Sequence, residues 1–162
     1  MNWMKKVAVA LVCLLPLGLQ AAKVDTLQVK SPSMNKSIEV VVVSPDVAVT
    51  KACPVIYLLH GYGGNARTWV GIKPDLPKIA DEKGIFFVCP DGKNTWYWDS
   101  PLNADVRYET FISNELVKYV DSHYKTVADR KGRAITGLSM GGHGAMWNGL
   151  RHSDVFSAAG ST

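Results

Sequence analysis

Arg133-Ala134-Ile135-Thr136-Gly137-Leu138-Ser139-Met140-Gly141-Gly142-His143-Gly144-Ala145 is the stretch on which the reading of this chain turns. Arg133 to Gly137 reads as a short strand with a β-branched end, and Met140 to Arg151 as a helix rich in small residues. Between them stands G-x-S-x-G. A sharp strand-to-helix turn of this kind lifts its serine above the sheet edge, with strained backbone at the serine itself. The two flanking residues crowd each other across the turn, so each is best without a Cβ. Gly142, Gly144 and Ala145 keep the helix slim enough to pack closely on a sheet. The bare pattern is weak, because Gly and Ser are common in ordinary turns; its place between a strand and a helix makes it specific. Ser139 is therefore the candidate nucleophile.

Outward from this turn the chain alternates strand and helix. Val24–Val29 and Ser37–Val43 read as two strands separated by Ser31-Pro32-Ser33-Met34-Asn35. Pro54 to Leu59 is a continuous apolar run ending in His60-Gly61, which suits a central strand buried on both faces. A helix over Pro74–Lys83 should stop at Gly84. Ile85 to Cys89 follows as a buried strand closed by Pro90-Asp91-Gly92. After the aromatic loop Asn94 to Pro101, Val106 to Tyr124 repeats apolar residues at helical spacing, and Val155 to Gly160 begins a sixth strand. The fold class is α/β: a mostly parallel, doubly wound sheet with helices on both faces.

The turn at Ser139 also supplies half of an oxyanion hole, the backbone N–H of Met140. A second donor is expected from the loop after the third strand, His60-Gly61-Tyr62-Gly63-Gly64, where glycine lets backbone approach a substrate. Donors of this kind are worth about 10²–10³ in rate each.

Four stretches together resemble the esterase family of the α/β-hydrolase fold: Leu58 to Asn65, Val88 to Gly92, Trp96 to Pro101, and Gly137 to Ala145. That group includes esterase D-like enzymes, tributyrin and feruloyl esterases, and the antigen 85 mycolyltransferases. The match runs from about Val55 to Thr162 in the family's order. The resemblance implies Ser139 as nucleophile and the N–H groups of Tyr62 and Met140 as oxyanion donors. It also implies that Trp96, Tyr97 and Trp98 line the acyl or leaving-group pocket, and it brings no cofactor.

In this fold the triad runs in the order Ser, acid, His along the chain. Only 23 residues follow Ser139, with His143, His152 and Asp154 among them. His152 stands 13 residues on, on the order of 20 Å away along a helix, and Asp154 is farther still. His143, one helical turn in, is expected to pack; His60 is expected to order its loop, and His123 to lie at the surface. The triad acid and base are thus expected outside these residues, with the sheet stopping after about its sixth strand. The sequence reads as the N-terminal portion of an esterase, with the sheet edge uncovered.

Residues 1–22 read as a secretory leader: Lys5 and Lys6, then the uncharged run Val7–Leu19, then Gln20-Ala21-Ala22, with cleavage after Ala21 or Ala22. Thirteen apolar residues interrupted by Pro16 are too few for a membrane anchor. Cys13 lies mid-run, not at its end as in a lipoprotein. Residues 23–162 form the hydrolase domain. Losing the leader removes two lysines and no acid, so the formal charge falls from +4 to sixteen basic against fourteen acidic side chains. No basic run suggests nucleic acid.

In the exported protein Cys53 opens one parallel strand and Cys89 closes its neighbour, roughly 15–20 Å apart by strand rise. A disulfide needs Cα atoms within about 7 Å, so both are expected free and buried. No Cys/His spacing suggests a metal. The expected activity is hydrolysis of small or carbohydrate-linked esters outside the cytoplasm, secreted or periplasmic. Acyl transfer to a sugar hydroxyl, or a non-catalytic binding role, are the alternatives.

Overall fold

The computed structural model describes residues 22–162. The leader expected over residues 1–22 therefore lies outside the described residues, apart from Ala22. Two antiparallel strands, β1 (Lys23–Ser31) and β2 (Lys36–Ser44), open the sheet around a turn in which Asn35 takes φ 48°. β3 (Val55–Leu59), β4 (Phe86–Pro90), β5 (Arg133–Gly137) and the two-residue β6 (Ala158–Ala159) complete it. The order is β1-β2-β4-β3-β5-β6. Pairing is antiparallel from β1 to β4 and parallel from β4 through β6.

β3 and β4 are continuous apolar runs because both faces are covered. Val55, Tyr57, Leu59, Phe86, Val88 and Ile135 face one way, into the larger core. There they meet a helical rod: α3 (Tyr108–Thr110) runs through a π-helical turn, Phe111–Leu116, into α4 (Val117–His123). Leu58, Phe87 and Cys89 face the other way, against Ala66, Leu76 and Ala80. That second layer holds the short α1 (Thr68–Ile72), which the sequence analysis did not anticipate, and α2 (Leu76–Lys83). Gly84 caps α2 with left-handed backbone at φ 63°, as its position predicts.

α1 is fastened by Trp69, whose indole N–H donates to Leu59 O at 3.0 Å. The sixth strand pairs over fewer residues than the sequence suggested. The N–H groups of Val155 and Phe156 are spent on the His152 carbonyl, at 2.9 and 3.0 Å, so the chain is still turning there. Cys53 and Cys89 are free and buried, and burial pushes the Cys89 thiol up to about 12. No helix among the described residues is long and apolar enough to cross a membrane.

Candidate active site

Ser139 links β5 to α5 (Met140–Arg151) with φ 55° and ψ −113°, a conformation that costs on the order of 1–3 kcal/mol for a residue with a Cβ. Both flanking glycines are sterically required. A Cβ on Gly137 would overlap the Gly141 carbonyl and stand 2.8 Å from Leu59 O. One on Gly141 would overlap the Leu59 carbonyl and stand 2.7 Å from His60 O. The crowding is therefore not only mutual: β3 and its exit loop pass directly beneath the turn. The serine side chain is left exposed at the sheet edge.

The loop leaving β3 runs beside it. A Cβ built on Gly61 would lie 3.7 Å from Ser139 Cβ. His60 is buried, and its two ring nitrogens are both engaged. Gly92 N–H donates to Nε2 at 2.9 Å, so the proton must reside on Nδ1, which donates to Gly61 O at 2.7 Å. Gly64 N–H reaches the same carbonyl at 3.0 Å. Two donors on Gly61 O fix one pole of the planar Gly61–Tyr62 peptide, so the opposite pole, Tyr62 N–H, must face away from them. Neither Tyr62 N–H nor Met140 N–H donates to another group among the described residues.

Asp91 lies under this loop, 3.5 Å from His60 Nε2. Because that nitrogen already accepts from Gly92, the contact is not a charged pair. Burial alone would push the Asp91 carboxyl up. The Lys93 ammonium and N–H, at 2.6 and 2.9 Å, outweigh burial and hold it well below the usual carboxylate range. Asn94 adds a second tie, its Oδ1 accepting Gly63 N–H at 2.8 Å. Sequence reading did not single out Asn94; only its place in the polar Asp91-Gly92-Lys93-Asn94 turn pointed to it.

The three loop aromatics part company. Trp96 and Trp98 are 46% and 43% exposed, whereas Tyr97 is wholly buried. The Tyr97 ring is clamped between Gly92 and Gly144, where a Cβ on Gly144 would meet it at 2.5 Å. Its hydroxyl donates to His60 O at 3.1 Å, and Asn148 Nδ2 donates to its carbonyl at 3.0 Å. The expectation that Tyr97 lines a pocket therefore gives way to a supporting role beneath the loop. Trp96 and Tyr97 both take φ 58°, so strain is stored at this anchor and at the residue before it. The small residues of α5 make room for this ring as well as for the sheet.

The remaining histidines do not reach Ser139. His143 Nδ1 donates to Trp96 O at 3.2 Å, with its ring edge-on to Trp96 and stacked on Trp147. His152 Nε2 meets Glu109 Oε1 at 2.8 Å. His123 is at the surface, bonded to Tyr119 O and stacked on that ring. Glu109 also accepts from Trp147 Nε1 at 2.7 Å and Arg151 Nε at 2.8 Å, tying α5 to α3. Among the described residues no group of His, Cys, Asp or Glu could hold a metal ion.

A mostly parallel sheet crossed by helices, with serine on a strained strand-to-helix turn, defines the α/β-hydrolase fold. The profile of the family described as "Putative esterase" matches residues 31–162, and the chain belongs to that family. An acetyl esterase of Caldicellulosiruptor saccharolyticus is 32% identical over 102 residues, covering 62% of this chain and 37% of the relative. The MPT51/MPB51 antigen of Mycobacterium bovis is 30% identical over 145 residues, 88% of this chain and 46% of the relative. A solved ferulic acid esterase superposes with a TM-score of 0.73 at 32% identity, over 85% of this chain and 58% of its own. The chain thus spans less than half the length of these curated relatives.

Proposed function

We propose that the protein is an exported serine carboxylic ester hydrolase acting on small or carbohydrate-linked esters. The observation that carries this is the backbone of Ser139, held at positive φ above two glycines that admit no Cβ. Ser139 Oγ attacks the ester carbonyl while a histidine outside these 162 residues takes its proton. The tetrahedral oxyanion is held by the free N–H groups of Tyr62 and Met140. The alcohol leaves with that proton, and water then releases the acid from the acyl-enzyme.

Trp96 and Trp98 offer exposed aromatic faces for the acyl group or a sugar ring, while Tyr97 holds their loop in place. The acetyl esterase and ferulic acid esterase relatives support a carboxylic ester as the substrate. Export rests on the leader pattern of residues 1–22.

A fluorophosphonate probe with the full-length protein tests the reading. The expected result is stoichiometric phosphonylation mapped to Ser139, lost in Ser139→Ala together with hydrolysis of p-nitrophenyl acetate. Hydrolysis unchanged in Ser139→Ala overturns it.

A further inference from the structure

Ala22 N–H donates to Oδ2 of Asp81 at 2.7 Å, and the other oxygen of that carboxylate accepts Asp46 N–H at 2.8 Å. One side chain on α2 thus fastens the start of β1 and the 3-10 turn Asp46–Val49. Ala22 is half-buried and packs against the smaller core layer, directly before β1. Asp81 has no side-chain cation among the described residues. Lys23, the nearest in sequence to Ala22, turns to Asp25 at 3.0 Å, and Lys78 on the same helix turns to Glu82 at 3.6 Å. The carboxylate meets only backbone amides, so its negative charge is solvated by dipoles and is not paired with a cation among the described residues.

A cation to pair with it has an evident source. Ala22 lies between the leader pattern and the first residue of β1, and Ala21-Ala22 is the pair of small residues at which a leader would be cut. Cleavage one bond later, at Ala22–Lys23, would discard the residue that touches Asp81. We infer that the leader is removed at the Ala21–Ala22 bond and that the α-ammonium so created is clasped by Asp81. The step is hydrolysis by a signal peptidase: water adds across the amide, Ala21 keeps the carboxylate, and Ala22 leaves as an ammonium. A neutral donor to Asp81 becomes a charged one at the same atom, so processing itself tightens the junction of β1 and α2. This rests on the export reading above.

N-terminal sequencing of the full-length protein recovered from outside the cytoplasm should give Ala22 as the first residue. A start at Lys23 or elsewhere overturns the assignment and leaves export standing, whereas protein retained inside the cell with its leader overturns both. The ion pair has its own test in two forms of the processed protein, one beginning at Ala22 and one with a single glycine ahead of it. Asp81→Asn should lower Tm by about 2–4 °C in the first form and by less than half as much in the second. With Asp81 intact, the added glycine alone should lower Tm. Equal losses from Asp81→Asn in both forms, or no effect of the glycine, overturn the ammonium's role.

Discussion

Gly92 N–H donates to His60 Nε2 at 2.9 Å, which locks the loop after β4 to the loop after β3 and selects the neutral, Nδ1-protonated ring. That tautomer is what lets His60 pin the Gly61 carbonyl and so aim the Tyr62 N–H. Under the proposed mechanism His60 is a positioning residue that never touches substrate. His60→Phe should lower kcat of the full-length protein by about 10²-fold, the loss of roughly one oxyanion donor, while KM changes little. Steady-state kinetics with p-nitrophenyl acetate separates the two. A rise in KM at unchanged kcat would place His60 in ground-state binding instead.

Tyr97 should matter to the same loop through its hydroxyl and through the space it fills. Tyr97→Phe removes only the bond to His60 O, worth about 1 kcal/mol, and should leave the fold intact with a small fall in the urea midpoint. Gly144→Ala drives a methyl into the ring at 2.5 Å and must displace it. Overpacking of this kind costs about 1–3 kcal/mol. It should also change the tryptophan fluorescence, because the Tyr97 backbone carries Trp96 and Trp98. An unaltered spectrum with unaltered stability would contradict the clamp.

Most of the framework around these residues could be read from sequence, because period and punctuation agree there. The run Val55–Leu59, the strand ending at Gly137 and the glycine stop at Gly84 each carry a local signal that tertiary contacts reinforce. Ser139 was legible for the same reason: two glycines at the required offsets between a strand and a helix. Tyr97 was not, because three consecutive aromatics in a loop have no periodicity to say which one turns inward. The choice is made by distant partners, Gly92, Gly144, Asn148 and the His60 carbonyl. Glu109 escaped notice likewise, since its three donors lie some 40 residues downstream.

Glu109 supplies the acid sensitivity expected of the α3–α5 junction. Burial by itself would raise its carboxyl. Arg151, Trp147 and His152 outweigh burial and hold it below the usual range. A group depressed in the folded state contributes stability above its unfolded value, about 4.3, and loses it as pH falls through the lower folded value. Glu109→Gln should therefore cost about 2 kcal/mol near neutral pH, the scale of hydrogen bonds to a charged group. The gap between variant and wild type should close as pH drops below about 4. Urea midpoints measured across pH check this; a gap that stays constant into acid would show that charge is not what holds the junction.

Ser139 has its backbone strain and its neighbouring donors within these 162 residues, yet every imidazole in the sequence bonds a group other than Ser139. There are four. His60 spends both nitrogens on Gly61 and Gly92, His143 bonds the Trp96 carbonyl, His123 bonds Tyr119, and His152 bonds Glu109. A serine hydroxyl without a base is an ordinary alcohol, and loss of the base in a serine hydrolase costs about 10⁶ in kcat. Strain at φ 55° presents the oxygen but does not remove its proton. The 162-residue chain produced alone should therefore react with a fluorophosphonate probe at least about 10⁴-fold more slowly than the full-length protein, at equal concentrations of folded chain by circular dichroism. Comparable rates, with the adduct on Ser139, would mean that one of these four histidines leaves its partner to serve as the base, and His143 would be the first to substitute.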